Sequence, residues 1–254
     1  RVEVIGSTEF LYVVGAEQAQ HFAMVFQVAR DAGFMGKEIN AIHVPFGMVL
    51  GTDGKKLASR TGGAVHLKDL LIEAVERADS MISEKNPNLS GEERKEVAQM
   101  LGIGAIKYAD LSTDRTNNYT FDWEKMLSFD GNTAPYLQYA HARICSIFAK
   151  SAIDRSSVQS TSISLIHERE QNLARILIGF PEALDNAISS HSPHKLATQL
   201  HSIAQAFASF YEVCPVLKAE GEATKNSRLA LCDLTARTLE CGLDLLGIES
   251  PNRM

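Results

Sequence analysis

The rhythm of apolar and polar positions changes along this chain. Leu11-Tyr12-Val13-Val14 is a short apolar, β-rich run ending at Gly15, and it predicts a buried strand. From Gln18 to Ala32 the apolar positions Phe22, Val25, Phe26 and Ala29 recur at helical spacing, with Gly33 as a stop. A second extended run, Ile39 to Leu50, follows, interrupted by Pro45 and Gly47. Strand, helix, strand is part of a parallel α/β sheet. A doubly wound domain needs several more strands, and none is legible further on.

After Gly63 the pattern turns helical. Leu67 to Arg77 places Leu70, Leu71, Ala74 and Val75 on one face. A polar break before Gly91 carries Ser90 and Glu93, the spacing of a capping box. Helices are predicted over 91–108, 134–150, 163–178, 195–214 and 228–246. The last two carry apolar stripes: Leu196, Leu200, Ile203, Phe207 and Phe210, then Leu231, Leu234, Cys241 and Leu245. Ser156 to Ser164 reads as a loop or linker, and no internal repeat is visible. The expected fold is mainly α with a partial α/β remnant at the N-terminus. A half-sheet beginning near residue 1 leads us to expect a fragment of a longer chain.

Composition narrows the class. With 45% hydrophobic and 22% charged residues, the 254-residue chain is globular in type, with room for one large or two ordinary domains. No apolar run reaches membrane-spanning length, and residues 1–10 do not form a signal-peptide pattern. Cysteines at 145, 214, 232 and 241 form no CxxC pair, which points to buried thiols in a reducing, cytoplasmic setting and to no metal site. Net charge is −6, so indiscriminate coating of nucleic acid is excluded, although a local basic patch is not.

That patch exists. Between Gly51 and Lys68 stand four basic residues and one acid, Asp53; three of the four, Lys55, Lys56 and Arg60, lie within LGTDGKKLASRTGG (Leu50 to Gly63). Asp53-Gly54 is a two-residue hairpin signal, and exposed lysines on such a tip serve solubility in the plainer reading. In the functional reading, Lys55, Lys56 and Arg60 close over nucleotide phosphates beyond the carboxyl end of a strand. The GxxxxGK[ST] pattern is not met.

Long stretches resemble arginyl-tRNA synthetases, a class I aminoacyl-tRNA synthetase family: YVVGAEQAQHFAMVFQVARDAG (Tyr12 to Gly33), HVPFGMVLGTDGKKLASRTGGAVHLKDLLIEAVERA (His43 to Ala78), GIGAIKYADLS (Gly102 to Ser112), FDGNTAPYLQYAHARICSI (Phe129 to Ile147) and LALCDLTARTLECGLDLLGIESPNRM (Leu229 to Met254). The resemblance implies a Rossmann-type catalytic part over 1–130 and a helical anticodon-binding domain over 131–254. It implies activation of arginine by ATP, with Mg2+ accompanying the nucleotide, and transfer to the 3′ end of tRNA. Lys56-Leu57-Ala58-Ser59-Arg60 takes the place of a degenerate KMSKS loop, with Lys56 first and Lys55 and Arg60 as helpers. The HIGH-type motif is missing, which implies that this part alone is inactive. A second reading is a tRNA-binding module without activity.

Further sites follow from the resemblance. Gln18 lines the arginine pocket, with His21 three residues on; a local helix-terminus hydrogen bond is the alternative for Gln18. Where Gly15 stands, family members often carry aspartate. Phe46, Gly47, Met48 and Val49 face the ATP base, or else form an ordinary strand with a glycine bulge. Tyr136, Tyr139 and Arg143 share a helix face and, with Tyr211, offer stacking planes and a phosphate contact; amphipathic packing is the alternative. Met254 lies on the anticodon side. A monomer is expected.

Overall fold

The computed structural model describes residues 1–57, 66–86 and 89–254. The elements in chain order are α1 (Val2–Ile5), β1 (Glu9–Gly15), a 3-10 turn (Ala16–Gln18), α2 (Ala19–Asp31), β2 (Asn40–Phe46), β3 (Val49–Leu50), α3 (Leu67–Lys85), α4 (Gly91–Leu111), β4 (Tyr119–Thr120) and α5 (Trp123–Met126). The remaining helices are α6 (Ala134–Ser151), α7 (Arg155–Val158), α8 (Glu168–Ile178), α9 (Phe180–Ser189), α10 (Pro193–Val213) and α11 (Glu222–Leu245). Two compact units result: Arg1–Leu57 with Thr113–Phe121, and Ala58–Ser112 with Asp122–Met254. This division does not follow residue 130, because α3 and α4 pack in the same unit as the later helices.

In the first unit β1 and β2 pair in parallel, from Glu9 opposite Asn40 to Gly15 opposite Phe46. The helix between them brings Phe22 and Phe26 within 5.1 and 5.3 Å of the Tyr12 ring, and Phe22 stacks on His43 at 5.1 Å. These four rings are the contact between α2 and the sheet. Leu11 and Val13, which alternate with Tyr12 and Val14, lie exposed on the other face, so the strand is present but is not the buried one expected. The extended run 39–50 is two strands, not one. β3 joins a second two-stranded sheet with β4, in parallel, Val49 opposite Tyr119. That short strand was missing from the expected pattern.

In the second unit the helices form one apolar core around Leu137, Ile144, Leu173, Leu200, Phe207 and Leu239. Ser90 and Glu93 form the expected capping box of α4. At Gly102 of α4 a Cβ would stand 2.7 Å from the backbone of Ala74, so glycine permits the closest approach of α3 and α4. The predicted stripe of α10 is buried throughout. That of α11 is corrected: Cys232, Ala236, Leu239 and Leu243 are buried, whereas Cys241 and Leu245 are exposed. Cys241 lies two residues from both Leu239 and Leu243, roughly the opposite side of a helix. The helix predicted from 163 starts at Glu168, where His167 and Glu170 build a capping box; Ile163 to Ile166 are not helical. The expected loop from Ser156 contains the end of α7.

Candidate functional site

The basic stretch leaves β3 as a hairpin. Gly51 N–H donates to the Lys55 carbonyl at 2.7 Å, Gly54 N–H to the Gly51 carbonyl at 2.9 Å, and Leu57 N–H to the Val49 carbonyl at 3.0 Å. The loop is therefore Thr52-Asp53-Gly54, three residues instead of the two read from Asp53-Gly54. Gly54 supplies the positive φ of 74° that closes it. Asp53 steadies the turn, its Oδ1 accepting from Lys55 N–H at 3.0 Å. Lys55 and Lys56 are exposed on the returning arm, with Lys56 bridged to Leu50. Arg60 lies outside the described residues.

At the carboxyl end of β1, Gly15 is buried and Gln18 caps α2 without a side-chain capping bond. Gln18 and His21 are both exposed, and the His21 ring meets Phe22 edge-on at 5.5 Å. Phe46 and Met48 are exposed; Gly47 and Val49 are partly buried. A Cβ on Gly47 would stand 2.4 Å from the Asn117 carbonyl oxygen. The space that this glycine opens is thus filled by the chain itself, and its N–H donates to the Arg115 carbonyl at 2.7 Å.

A second constellation lies among the helices. The Arg143 guanidinium sits 5.6 Å from the ring centroid of Tyr139, one turn earlier on α6, and 4.9 Å from that of Tyr211 on α10. Phe207 stacks against Tyr211 at 5.8 Å, with 29° between the planes. Tyr139, Arg143, Lys150, Tyr211, Arg253 and Met254 line a pocket of about 450 Å³. Three cations and two aromatic faces in one concavity can hold a flat, anionic, partly unstacked ligand.

Tyr136 is not part of it. Its half-buried ring turns toward His201, 5.6 Å away, and burial, aided by Asp130, pushes its hydroxyl pKa up. Position 136 is rotated by about a sixth of a turn from 139 on the helix, enough to send it to the core side.

The pocket wall that carries Met254 is pinned to its neighbours. Asn86 Nδ2 donates to the Met254 carbonyl at 2.9 Å, His141 Nδ1 to the Pro251 carbonyl at 3.1 Å, and Gln138 Nε2 to the Glu249 carbonyl at 2.8 Å. Sequence reasoning missed Asn86 and Lys150. Lys150 was within reach, since it lies two turns after Arg143; Asn86 gave no signal, because its partner is 168 residues away.

A parallel strand–helix–strand leading into a cationic hairpin shares one chain with a helical domain, and the first of these parts matches the class I tRNA synthetases. Residues 1–123 match the catalytic domain of the class I tRNA synthetases for arginine, and residues 137–254 match the DALR anticodon binding domain. The chain belongs to the arginyl-tRNA synthetase family. All of it aligns with arginine–tRNA ligases from Edwardsiella ictaluri and Klebsiella pneumoniae, at 47% and 45% identity, and it spans 44% of the length of each. Its fold is similar to the arginyl-tRNA synthetase of Thermus thermophilus, with a TM-score of 0.86 and 33% identity over 98% of this chain and 41% of that one. For the Plasmodium falciparum enzyme the TM-score is 0.83, at 29% identity, over 100% and 43%.

Proposed function

We propose that the chain is the part of an arginine–tRNA ligase that supplies the phosphate-binding hairpin and reads the anticodon. The pocket built from Tyr139, Arg143 and Tyr211, inside the stretch that matches an anticodon-binding domain, carries this reading. In the intact enzyme the arginine carboxylate attacks the α-phosphorus of ATP and pyrophosphate departs. The arginyl group then passes to a ribose hydroxyl at the tRNA 3′ end. Lys56, helped by Lys55 and Arg60, meets the charge that develops on the leaving pyrophosphate. Its contribution is electrostatic, and no covalent enzyme intermediate is invoked.

Gln18 and His21, beyond the end of β1, take the arginine side of the crevice, and Phe46 to Val49 the adenine side. Mg2+ belongs to this reading as an ion carried by ATP; among the described residues no cluster of His, Cys, Asp and Glu fits a metal ion. No described helix is long and apolar enough to cross a membrane. We take the protein, independently of that, as a cytoplasmic monomer.

The test is arginine-dependent ATP–pyrophosphate exchange by the full-length enzyme with cognate tRNA present. Lys56→Ala should abolish it; undiminished exchange removes Lys56 from its role. A tRNA-binding module without activity is the second reading, resting on the match of residues 137–254 to an anticodon-binding domain. Tight cognate tRNA binding with no exchange, even in the full-length protein, would select it.

A further inference from the structure

The strand that leads into the cationic hairpin is held by residues about 70 positions away. Arg115 Nη1 donates to the Pro45 carbonyl at 2.8 Å, and the Arg115 carbonyl accepts from Gly47 N–H at 2.7 Å. Met48 N–H donates to Asn118 Oδ1, also at 2.7 Å, while the Met48 carbonyl accepts from Tyr119 N–H at 3.2 Å. Phe121 N–H then reaches the Leu50 carbonyl at 2.7 Å. The approach is close enough that only glycine fits at 47. On its other edge β3 holds the hairpin arm, through Leu57 N–H to Val49 and the bridge of Lys56 to Leu50. Val49 and Leu50 are therefore the middle of three strands, and the register of the Lys56 arm is set by how β3 sits on 115–121.

Pro45 to Met48 is the weak point of this arrangement. It spans the break between β2 and β3, where the ladder that would fix the backbone is interrupted. Side chains stand in for it: the Arg115 guanidinium takes the Pro45 carbonyl, and the Asn118 amide oxygen takes the Met48 N–H. We propose that Asn118 and Arg115 are positioning residues that fix the Gly47–Leu50 backbone, and through it Lys56, for ATP. This rests on the reading that the nucleotide lies against Phe46 to Val49 beneath the hairpin. Neither residue touches the phosphates in this scheme; each acts through the strand.

The consequence is specific. Asn118 is exposed, so replacing it opens no cavity in a core. Asn118→Leu keeps the size and removes the acceptor, whereas Asn118→Asp keeps an oxygen where Met48 N–H needs it. In the full-length enzyme with cognate tRNA present, N118L should raise KM for ATP about five- to tenfold in the exchange reaction, the scale of one net hydrogen bond. KM for arginine, tRNA affinity and the thermal midpoint should stay at wild-type values, and N118D should restore KM for ATP. Arg115→Met, which frees the Pro45 carbonyl, should move the same parameter in the same direction. The inference is overturned if N118L leaves KM for ATP unmoved, if N118D is as impaired as N118L, or if the KM values for ATP and arginine rise together. Lys56→Ala run alongside separates the layers: full exchange without Lys56 sinks the underlying reading, while loss at Lys56 with no ATP effect at Asn118 sinks this inference alone.

Discussion

Arg143 lies 4.9 Å above the ring of Tyr211, so a cation on one helix and an aromatic plane on another share a single pocket wall. A guanidinium stacks where an ammonium cannot. Arg143→Lys should therefore weaken cognate tRNA binding yet keep the dependence of log Kd on log salt, because the charge remains. Arg143→Met should weaken binding and lower that slope by about one phosphate contact. Tyr211→Ala should cost about 1–3 kcal/mol of binding energy. Fluorescence anisotropy across a salt series measures all three; equal slopes for Arg143→Met and wild type would remove Arg143 from the phosphate contacts.

Glu170 should make the helical domain acid-sensitive. Its carboxylate is buried, accepting from Arg228 Nε at 2.6 Å and from the N–H groups of Ile166 and His167. Burial alone raises its pKa, but the hydrogen bonds from His167, Arg228 and Ile166 outweigh it and hold the group below its ordinary value of 4.5. The stabilisation is thus complete above the unfolded value and is lost as pH falls through the folded one. Glu170→Ala, which strands Arg228, should cost about 3–5 kcal/mol near neutrality and flatten the acid limb of a urea-unfolding series. An unchanged acid limb would exclude Glu170 as its source.

His141 works over a higher window. It is fully buried, and burial depresses its pKa below 6.5 against smaller opposing effects of the Pro251 carbonyl and Glu240, with Arg155 adding to the depression. The unfolded chain binds the proton more readily, so stability is complete above about pH 6.5 and declines below it, by at most about 1.4 kcal/mol per pH unit. Urea midpoints at pH 7.5 and 5.5 should differ more for the wild type than for His141→Gln. Parallel behaviour of the two proteins would show that the imidazole takes up its proton equally in the folded and unfolded states.

Gly102→Ala separates packing from propensity. Alanine favours helix by about 1 kcal/mol, but its Cβ meets the Ala74 and Val75 backbone, which cannot step aside like a side chain. The expected net loss is about 1–3 kcal/mol, seen as a lowered Tm. Gly91→Ala, with nothing near the new Cβ, should show no such loss and serves as the control.

What could be read from the chain depended on how local its cause was. β1, α2 and the stripe of α10 were legible because each rests on apolar spacing within its own few residues. The stripe of α11 was misplaced because Cys241 and Leu245 are apolar but exposed, and the helix buries Ala236 and Gly242, which carry little hydrophobic signal. β4 is two residues long and gains its pairing from a partner about 70 positions earlier, so no window could hold it. The same applies to Asn118 and Met48. Tyr139 and Arg143, four apart, do line one concavity, whereas Tyr136, three before Tyr139, turns toward His201. Side-chain direction on a helix is settled by neighbours such as His201, which spacing does not reveal.

The first compact unit takes Thr113–Phe121 from the middle of the helical chain, so the polypeptide passes between the units three times. No single cut can separate them. A product ending at Leu57 would leave the Gly47 and Met48 amides without Arg115 and Asn118, and one starting at Ala58 would carry Tyr119 and Thr120 with no strand to join. Proteolytic or recombinant dissection of this protein must remove an internal stretch, and a fragment boundary drawn between the two family matches leaves the first unit whole but splits the second.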